Sequence, residues 1–206
     1  ERTDASLIPR VEWPMPERFA NLADGDELRY GGYRMRAVDT PGHTPGHQCL
    51  YLPDQKVMFY GDHLLMNSSP NMAPFPGEAD SLGDYLRSLD KVAQLPVEFA
   101  CMGHGFVDPR RQAEAMPERI AWLQRHHRQR LDEIAAQLEE RPGMTGTELA
   151  KSITWNIPHA AWEEIPIIQR WIVVCETLAH LDHLMGEGRV RRERAADAYR
   201  DFMEQR

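Results

Sequence analysis

The chain has 206 residues, enough for one substantial core and a small appended unit, and 42% of them are hydrophobic. Its formal charge of -8 opposes nonspecific binding to the phosphates of nucleic acid, and no stretch approaches the roughly 20 apolar residues of a membrane span. The cysteines are odd in number and lie in apolar surroundings, which is typical of reduced thiols in a cytoplasmic protein; they are Cys49, Cys101 and Cys175.

Two consecutive β-hairpins are predicted first along the chain. Residues 28–30 and 33–38 flank Gly31-Gly32, a dipeptide typical of two-residue hairpin turns. Residues 48–52 and 56–60 form a second apolar pair around a Pro-Asp-Gln turn. These four segments predict consecutive antiparallel strands of one sheet.

A long loop, a helix and a strand follow the hairpins. Residues 64–79 are rich in Asn, Ser, Pro and Met, and because long loops in compact domains are commonly functional, we expect this one to shape a substrate pocket. Asp80 begins a helix that ends near Pro96, and residues 97–102 form a buried strand. The alternation of strand, helix and strand predicts an α/β fold with helices outside the sheet.

The remainder of the chain is predicted to be largely helical. A long helix covers residues 116–140, and its adjacent pair His126 and His127 points in different directions, one inward and one toward solvent. Thr145 and Glu148 have the spacing of a capping box that opens the next helix.

The end of the chain predicts a small separate unit. A helix through Met185, a glycine turn and a basic strand over residues 189–192 resemble a winged helix. We therefore divide the chain into a domain over residues 1–140 and a winged-helix-like unit over residues 141–206. Packing or homodimer formation is the favoured role of this unit, with nucleic-acid binding as the less favoured alternative.

Three segments place a histidine or an aspartate after a glycine at the end of an apolar run. The run Thr-Pro-Gly-His-Thr-Pro-Gly-His spans residues 40–47, and Gly61-Asp62 and Gly103-His104 come later. A hydrolytic metal site needs neutral imidazoles and a carboxylate from several segments, with one position open for water. His43 and Asp62 lie at the outer ends of the second hairpin, so the pattern places them close together.

In their residues and in their order along the chain, these motifs resemble those of the metallo-β-lactamase superfamily, particularly its hydroxyacylglutathione hydrolase (glyoxalase II) branch. The resemblance covers roughly residues 28–105 and implies the second half of an αββα sandwich. It further implies that His43 binds one metal ion, that His104 binds a second, and that Asp62 bridges the two and is the catalytic carboxylate.

The resemblance also suggests supporting residues and the metal. His47 would orient the loop as an outer partner of the metal ligands, and His63, beside the bridging aspartate, would orient Asp62 or contact substrate. The ions would be two divalent metals, zinc in the first place, although iron and manganese suit the same ligands.

One motif of the family is absent from its expected place. The signature His-x-His-x-Asp-His should lie upstream of His43, yet residues 1–42 contain no histidine. We expect this chain to be the carboxyl-terminal part of a longer protein that carries the missing ligands. A similar run over residues 178–183 lies in a predicted helix, so we interpret it as a chance resemblance.

The expected activity is hydrolysis of a small-molecule thioester or ester by metal-bound hydroxide, in the complete protein rather than in this part alone. One alternative is metal-dependent endoribonuclease activity, because the winged-helix-like unit and its basic strand resemble the appended module of endoribonuclease relatives in the superfamily. A second alternative, a metal-poor binding or scaffold fragment, follows from the missing ligands.

Overall fold

The computed structural model describes residues 20–105, 108–155, 161–196 and 198–204. Five strands form the main sheet: β1 (Glu27–Tyr30), β2 (Tyr33–Asp39), β3 (Gln48–Leu52), β4 (Val57–Gly61) and β5 (Phe99–Met102). The helices are α1 (Ser81–Ala93), α2 (Pro109–Glu140), α3 (Gly146–Ser152) and α4 (Ile167–Gly186). A second, two-stranded sheet consists of β6 (Val190–Arg194) and β7 (Tyr199–Met203).

The main sheet is mixed, with strands in the order β1-β2-β3-β4-β5. The first four strands pair antiparallel, whereas β5 pairs parallel to β4 after the crossover through α1. The carboxyl ends of β2, β4 and β5 therefore meet at one edge of the sheet. Each candidate ligand of the sequence analysis follows one of these three ends.

Local chemistry accounts for most element boundaries. Gly31 and Gly32 adopt φ angles of 56° and 83° between β1 and β2, a conformation that favours glycine and closes the predicted hairpin. The side chain of Asp80 accepts a hydrogen bond from the amide of Gly83 and caps α1, as predicted.

Helix α2 begins seven residues before the predicted start. Asp108 accepts a hydrogen bond from the amide of Arg110 at 2.9 Å, and Pro109 occupies a first-turn position that needs no amide donor. These two residues are a helix start signal that apolar periodicity does not register, which explains the early beginning.

One face of the sheet carries the core. Met58, Tyr60 and Ala100 join a continuous buried cluster with apolar side chains of α1, α2 and α4. The alternation of β4 turns Phe59 to the opposite face, where it is exposed together with Tyr30 and Tyr33. The helices thus cover one face of the sheet, and the other presents aromatic side chains.

The carboxyl-terminal elements pack as two helices followed by a hairpin. The predicted capping box is present, since the Thr145 hydroxyl and the Glu148 carboxylate each bind the backbone amide of the other. An isolated bridge joins Met144 to Asp201 of β7. The winged-helix description and the division at residue 140 stay predictions. No helix of the described residues is long and apolar enough to cross a membrane.

Candidate metal centre

Three loops at one edge of the sheet bring His43, Asp62 and His104 together. The Nε2 atom of His43 lies 3.8 Å from Oδ2 of Asp62, and Nε2 of His104 lies 3.0 Å from Oδ1 of the same carboxylate. One imidazole therefore faces each carboxylate oxygen. The side chain of His104 is 73% exposed and that of Asp62 38% exposed, so the cluster opens to solvent on the His104 side.

A backbone carbonyl orients the His43 ring. Nδ1 of His43 lies 2.9 Å from the carbonyl oxygen of Asn71, in the loop between β4 and α1. Because a carbonyl only accepts hydrogen bonds, Nδ1 donates its proton there, which leaves Nε2 as the lone-pair atom of the neutral ring. Metal-binding histidines commonly have this arrangement. Sequence analysis missed Asn71, because a backbone acceptor has no residue signature.

His47 supports the same loop from beneath. Its Nδ1 is hydrogen-bonded to the hydroxyl of Thr40 at 2.8 Å, and that hydroxyl also lies 3.3 Å from the Cys49 sulfur. Burial, followed by the neighbouring His43, lowers the pKa of His47, while Asp62 acts in the opposite direction. His47 is therefore held as a neutral ring beneath the loop, and its supporting role stays a prediction.

Two glycines allow the loops to approach each other. Gly61 has a φ of 52°, and a Cβ there would stand 2.9 Å from Nε2 of His47. At Gly103 a Cβ would lie 2.8 Å from both Oδ1 of Asp62 and the carbonyl oxygen of Gly61. The amide of Gly103 instead donates to that carbonyl at 2.9 Å, so His104 leaves β5 beside Asp62.

His63 lies beneath the cluster and is fully buried. Its ring packs between His47 and Tyr85, with ring centroids 6.0 and 5.3 Å away. Burial lowers the pKa of His63 to about 3, and neither ring nitrogen has a hydrogen-bond partner among the described residues. Its position favours support of the loop over contact with substrate.

The His-rich run in α4 has structural partners. His183 binds the carboxylate of Asp80 at 3.0 Å, and Asp182 binds Arg192 at 3.0 Å. The third member, His180, is fully buried and lies 3.2 Å from His127. These partners account for the run without a metal, as the chance interpretation expects.

The prediction for the pair His126 and His127 is confirmed for His127, which packs inward, and wrong for His126. His127 is fully buried, but His126 is half-buried rather than directed to solvent, because its ring stacks on Trp122 with centroids 4.9 Å apart. One ligand atom from each histidine and one from Glu176 lie within 4.8 Å of one another. Sequence analysis missed Glu176, although its position in α4 faces the inward stripe of α2.

The donor set at the sheet edge fits divalent metals. A carboxylate that presents one oxygen to each of two imidazoles is suited to bridge two ions, with His43 and His104 holding one ion each. Catalytic zinc sites have three protein ligands per ion, so these three residues alone would be too few for a two-metal site. Further ligands must complete both coordination shells.

The amino-acid sequence is similar to those of known proteins. Residues 16–104 match the family described as the metallo-beta-lactamase superfamily. The Beta-lactamase-like protein 2 homolog of Caenorhabditis elegans is 26% identical over 156 residues, which are 74% of this chain and 49% of that protein. A hydroxyacylglutathione hydrolase of Rhizobium etli is 35% identical over 93 residues, 45% of this chain and 34% of that protein.

Solved structures extend the likeness to most of the chain. A metallo-beta-lactamase family protein of Thermus thermophilus superposes with a TM-score of 0.72 and 32% identity, over 92% of this chain and 56% of that one. A beta-lactamase domain protein of Burkholderia ambifaria gives a TM-score of 0.77 and 28% identity, over 92% and 54%. The chain spans about half, or less, of the length of these relatives.

Proposed function

We propose that the complete protein is a metal-dependent hydrolase of the metallo-beta-lactamase superfamily that cleaves a small-molecule thioester or ester. The observation that carries this proposal is the Asp62 carboxylate, which faces His43 with one oxygen and His104 with the other. Two divalent ions, zinc in the first place, would activate water and polarise the substrate carbonyl when bound there. The remaining ligands would come from the His-x-His-x-Asp-His signature.

Hydrogen bonds within this chain would hold His43 ready to bind a metal ion. Asn71 fixes the His43 tautomer through its carbonyl oxygen, and Thr40 with His47 holds the loop from below. Asp62, as the shared carboxylate, would position both ions relative to one another.

Thioesters are the first substrate class because of the relatives. Several curated relatives are hydroxyacylglutathione hydrolases, two of them 34% and 35% identical over 93 residues. Others are lactamase-like proteins. An ester or lactone is the second class, because metal-bound hydroxide attacks their carbonyl carbon in the same way. We also propose a cytoplasmic location, where glutathione keeps thiols reduced.

The endoribonuclease alternative has less support. Arg192 of β6 binds Asp182 and Asp201, and Arg191 pairs with Glu193 and Glu204. Because these guanidinium groups are already paired with carboxylates, the basic strand has little free charge to offer a phosphate backbone.

The test measures thiol release from S-lactoylglutathione by the complete protein loaded with zinc. We expect Asp62→Asn to lower kcat/KM at least about 100-fold, because outer partners alone already cost 10–100-fold in such sites. Asp54→Asn is the matched control, since Asp54 is an exposed aspartate of the adjoining β3–β4 turn, paired with Arg34.

Three results would contradict the proposal. Absence of turnover with two zinc ions bound would exclude the thioesterase activity. Absence of stoichiometric metal binding by the complete protein would favour the scaffold alternative instead, and cleavage of single-stranded RNA weakened by Arg191→Gln would favour the nuclease.

A further inference from the structure

A cavity of about 600 Å³ lies between the loop after β4 and the helices α2 and α4. This volume is typical of a site for a small organic molecule. We name it the Arg130 pocket, and its lining includes Asn67, Ser68, Arg119, Trp122, His126, Arg130, Trp155, Ile172 and Glu176. None of the three candidate metal ligands lines it, so it is separate from the metal centre.

Arg130 is a buried cation without a carboxylate partner. The residue is only 7% exposed, and it forms no ion pair with a carboxylate of the described residues, although Glu176 and Glu133 act on it at longer range. Its Nη1 atom has no hydrogen-bond acceptor in the described part of the chain. The guanidinium lies over the Trp155 ring, 3.9 Å from the centroid. Burying an unpaired guanidinium is costly, so the pocket favours an anionic occupant.

Arg119 adds a second positive charge to the pocket. Its Nε and Nη2 atoms donate to the carbonyl oxygens of Leu65 and Ser68, each at 2.7 Å. Carbonyl acceptors use two of its five donors but leave its charge in place. Arg119 therefore holds the loop that forms one wall and keeps that wall positive.

The negative and titratable groups of the pocket do not cancel these charges. Burial raises the pKa of Glu176 to about 7, against the opposing effect of Arg130. Burial also lowers the pKa of His126, so this imidazole is neutral near pH 7. Two guanidinium groups against one partly ionised carboxylate leave the pocket with a net charge of roughly +1 or more.

A metal ion is the rival occupant, because His126, His127 and Glu176 form a loose ligand group. The His180 Nδ1 atom donates to the Glu176 carbonyl at 2.7 Å, so the His180 Nε2 atom accepts from Nδ1 of His127 at 3.2 Å. This leaves the His127 Nε2 atom as an unpartnered lone pair among the described residues. A dication there would share the site with two guanidinium groups, and this repulsion favours the anion.

The walls indicate the body of the ligand. Trp122, which is 40% exposed, and Trp155 line the pocket with aromatic side chains, and Ile172 adds an aliphatic one. His126 and Arg119 lie against the Trp122 ring and Arg130 against the Trp155 ring, so a ligand meets the remaining ring surface and edges. Two parallel N–H groups of a guanidinium can bind both oxygens of a carboxylate in one plane. The single negative charge of a monocarboxylate would balance the positive charge of the pocket. We propose that the Arg130 pocket binds a small organic monocarboxylate with a flat apolar body, whose carboxylate pairs with Arg130.

The test titrates the complete protein with benzoate by ligand-observed NMR, and with benzamide as the uncharged compound of the same shape. We expect benzoate to bind about tenfold or more tightly than benzamide, because a charged hydrogen bond to Arg130 is lost in the amide. Arg130→Gln is expected to weaken benzoate binding by a similar factor. Arg125→Gln, an exposed arginine of the same helix, is the matched control and should change nothing.

A second variant covers the case in which Arg130→Gln does not fold. Trp122→Leu removes an exposed aromatic wall and should weaken benzoate binding while circular dichroism stays unchanged. The experiment is repeated in Asp62→Asn, where benzoate binding should persist, so the pocket is tested independently of the hydrolase proposal.

Four outcomes would overturn the inference. Equal binding of benzoate and benzamide would exclude recognition of the charge, and tighter binding of phenyl phosphate would exclude the preference for a carboxylate. Loss of benzoate binding in Asp62→Asn would place the anion at the metal centre. Zinc binding that Glu176→Gln abolishes, without benzoate binding, would make the pocket a metal site.

Discussion

The geometry of the loop over residues 40–47, which carries His43, depends on Thr40. Its hydroxyl is fully buried and lies between Nδ1 of His47 and the sulfur of Cys49. The ring of His47 in turn fills the space beside Gly61, directly before Asp62. The Thr40 hydroxyl is therefore linked through the His47 ring to the backbone directly before the Asp62 carboxylate, at the end of β4.

Replacement of Thr40 by valine keeps the shape of the side chain and removes this hydroxyl. Because His47 Nδ1 would lose its partner, we expect the free energy of unfolding to fall by about 1–3 kcal/mol. We also expect zinc affinity of the complete protein, measured by competition with a chelator, to weaken about 10–100-fold. Thr44→Val on the same loop is the control, and equal effects of both substitutions would refute the supporting role of Thr40.

Packing of the loop over residues 40–47 against α1 determines where His43 lies. The hydroxyl of Ser88 donates to the carbonyl of Pro41 at 2.9 Å, and Gly42 lies against the backbone of Tyr85. A Cβ at Gly42 would stand 2.5 Å from the Tyr85 Cβ and 2.6 Å from its Cα. The loop and the helix are therefore in direct backbone contact, a closeness that only glycine allows.

Gly42→Ala tests this contact between elements. Gly42 has a φ of 138°, and the added methyl group would push against helix backbone rather than a flexible side chain. We expect denaturant unfolding to show a loss of about 2–4 kcal/mol. Gly46→Ala, in the same loop but with open space around it, should change stability by less than about 1 kcal/mol. A small effect at Gly42 would show that the loop can move off α1 easily.

Across the whole molecule, buried neutral histidines connect the main sheet to the carboxyl-terminal elements. His63, His127 and His180 are each fully buried, and ring contacts run from His63 through Tyr85 to His127 and on to His180. Burial lowers the pKa of His180 to about 3. Below about pH 6.5 these histidines bind protons in the unfolded chain but stay neutral in the folded chain. The free energy of unfolding therefore falls as the pH falls.

Unfolding measured at pH 7 and pH 5.5 in the presence of chelator tests this coupling. For one such histidine the loss over this interval is about 1 kcal/mol, so His180→Gln should lose about that much less than the unchanged protein. Glu176, whose pKa is raised, contributes in the opposite direction in both proteins. Gln129→Ala, at an exposed position of α2 that does not titrate, should keep the original pH dependence. An unchanged dependence in His180→Gln would show that His180 is protonated in the folded state.

The candidate ligands could be located from sequence because their signals are local. Glycine and proline mark the turns, and strand ends deliver the groups that follow them to a common edge, so His43, Asp62 and His104 were expected together. Their roles as metal ligands stay predictions. The Arg130 pocket was missed, although Arg130 lies three residues from His127 on the inward stripe of α2. Hydrophobic periodicity assigns arginine to the surface, and only helix packing shows that this one is buried.

The sequence by itself determined most of the order of strands and helices, the first hairpin turn, the capping box and the meeting of His43, Asp62 and His104 at one edge of the sheet. These follow from backbone preferences and apolar periodicity, which act over a few residues. Only the tertiary structure decided the tautomer of His43, through a carbonyl 28 residues away, and the positive charge of the Arg130 pocket. Both depend on contacts between distant segments, whose orientation is set by packing of the whole core.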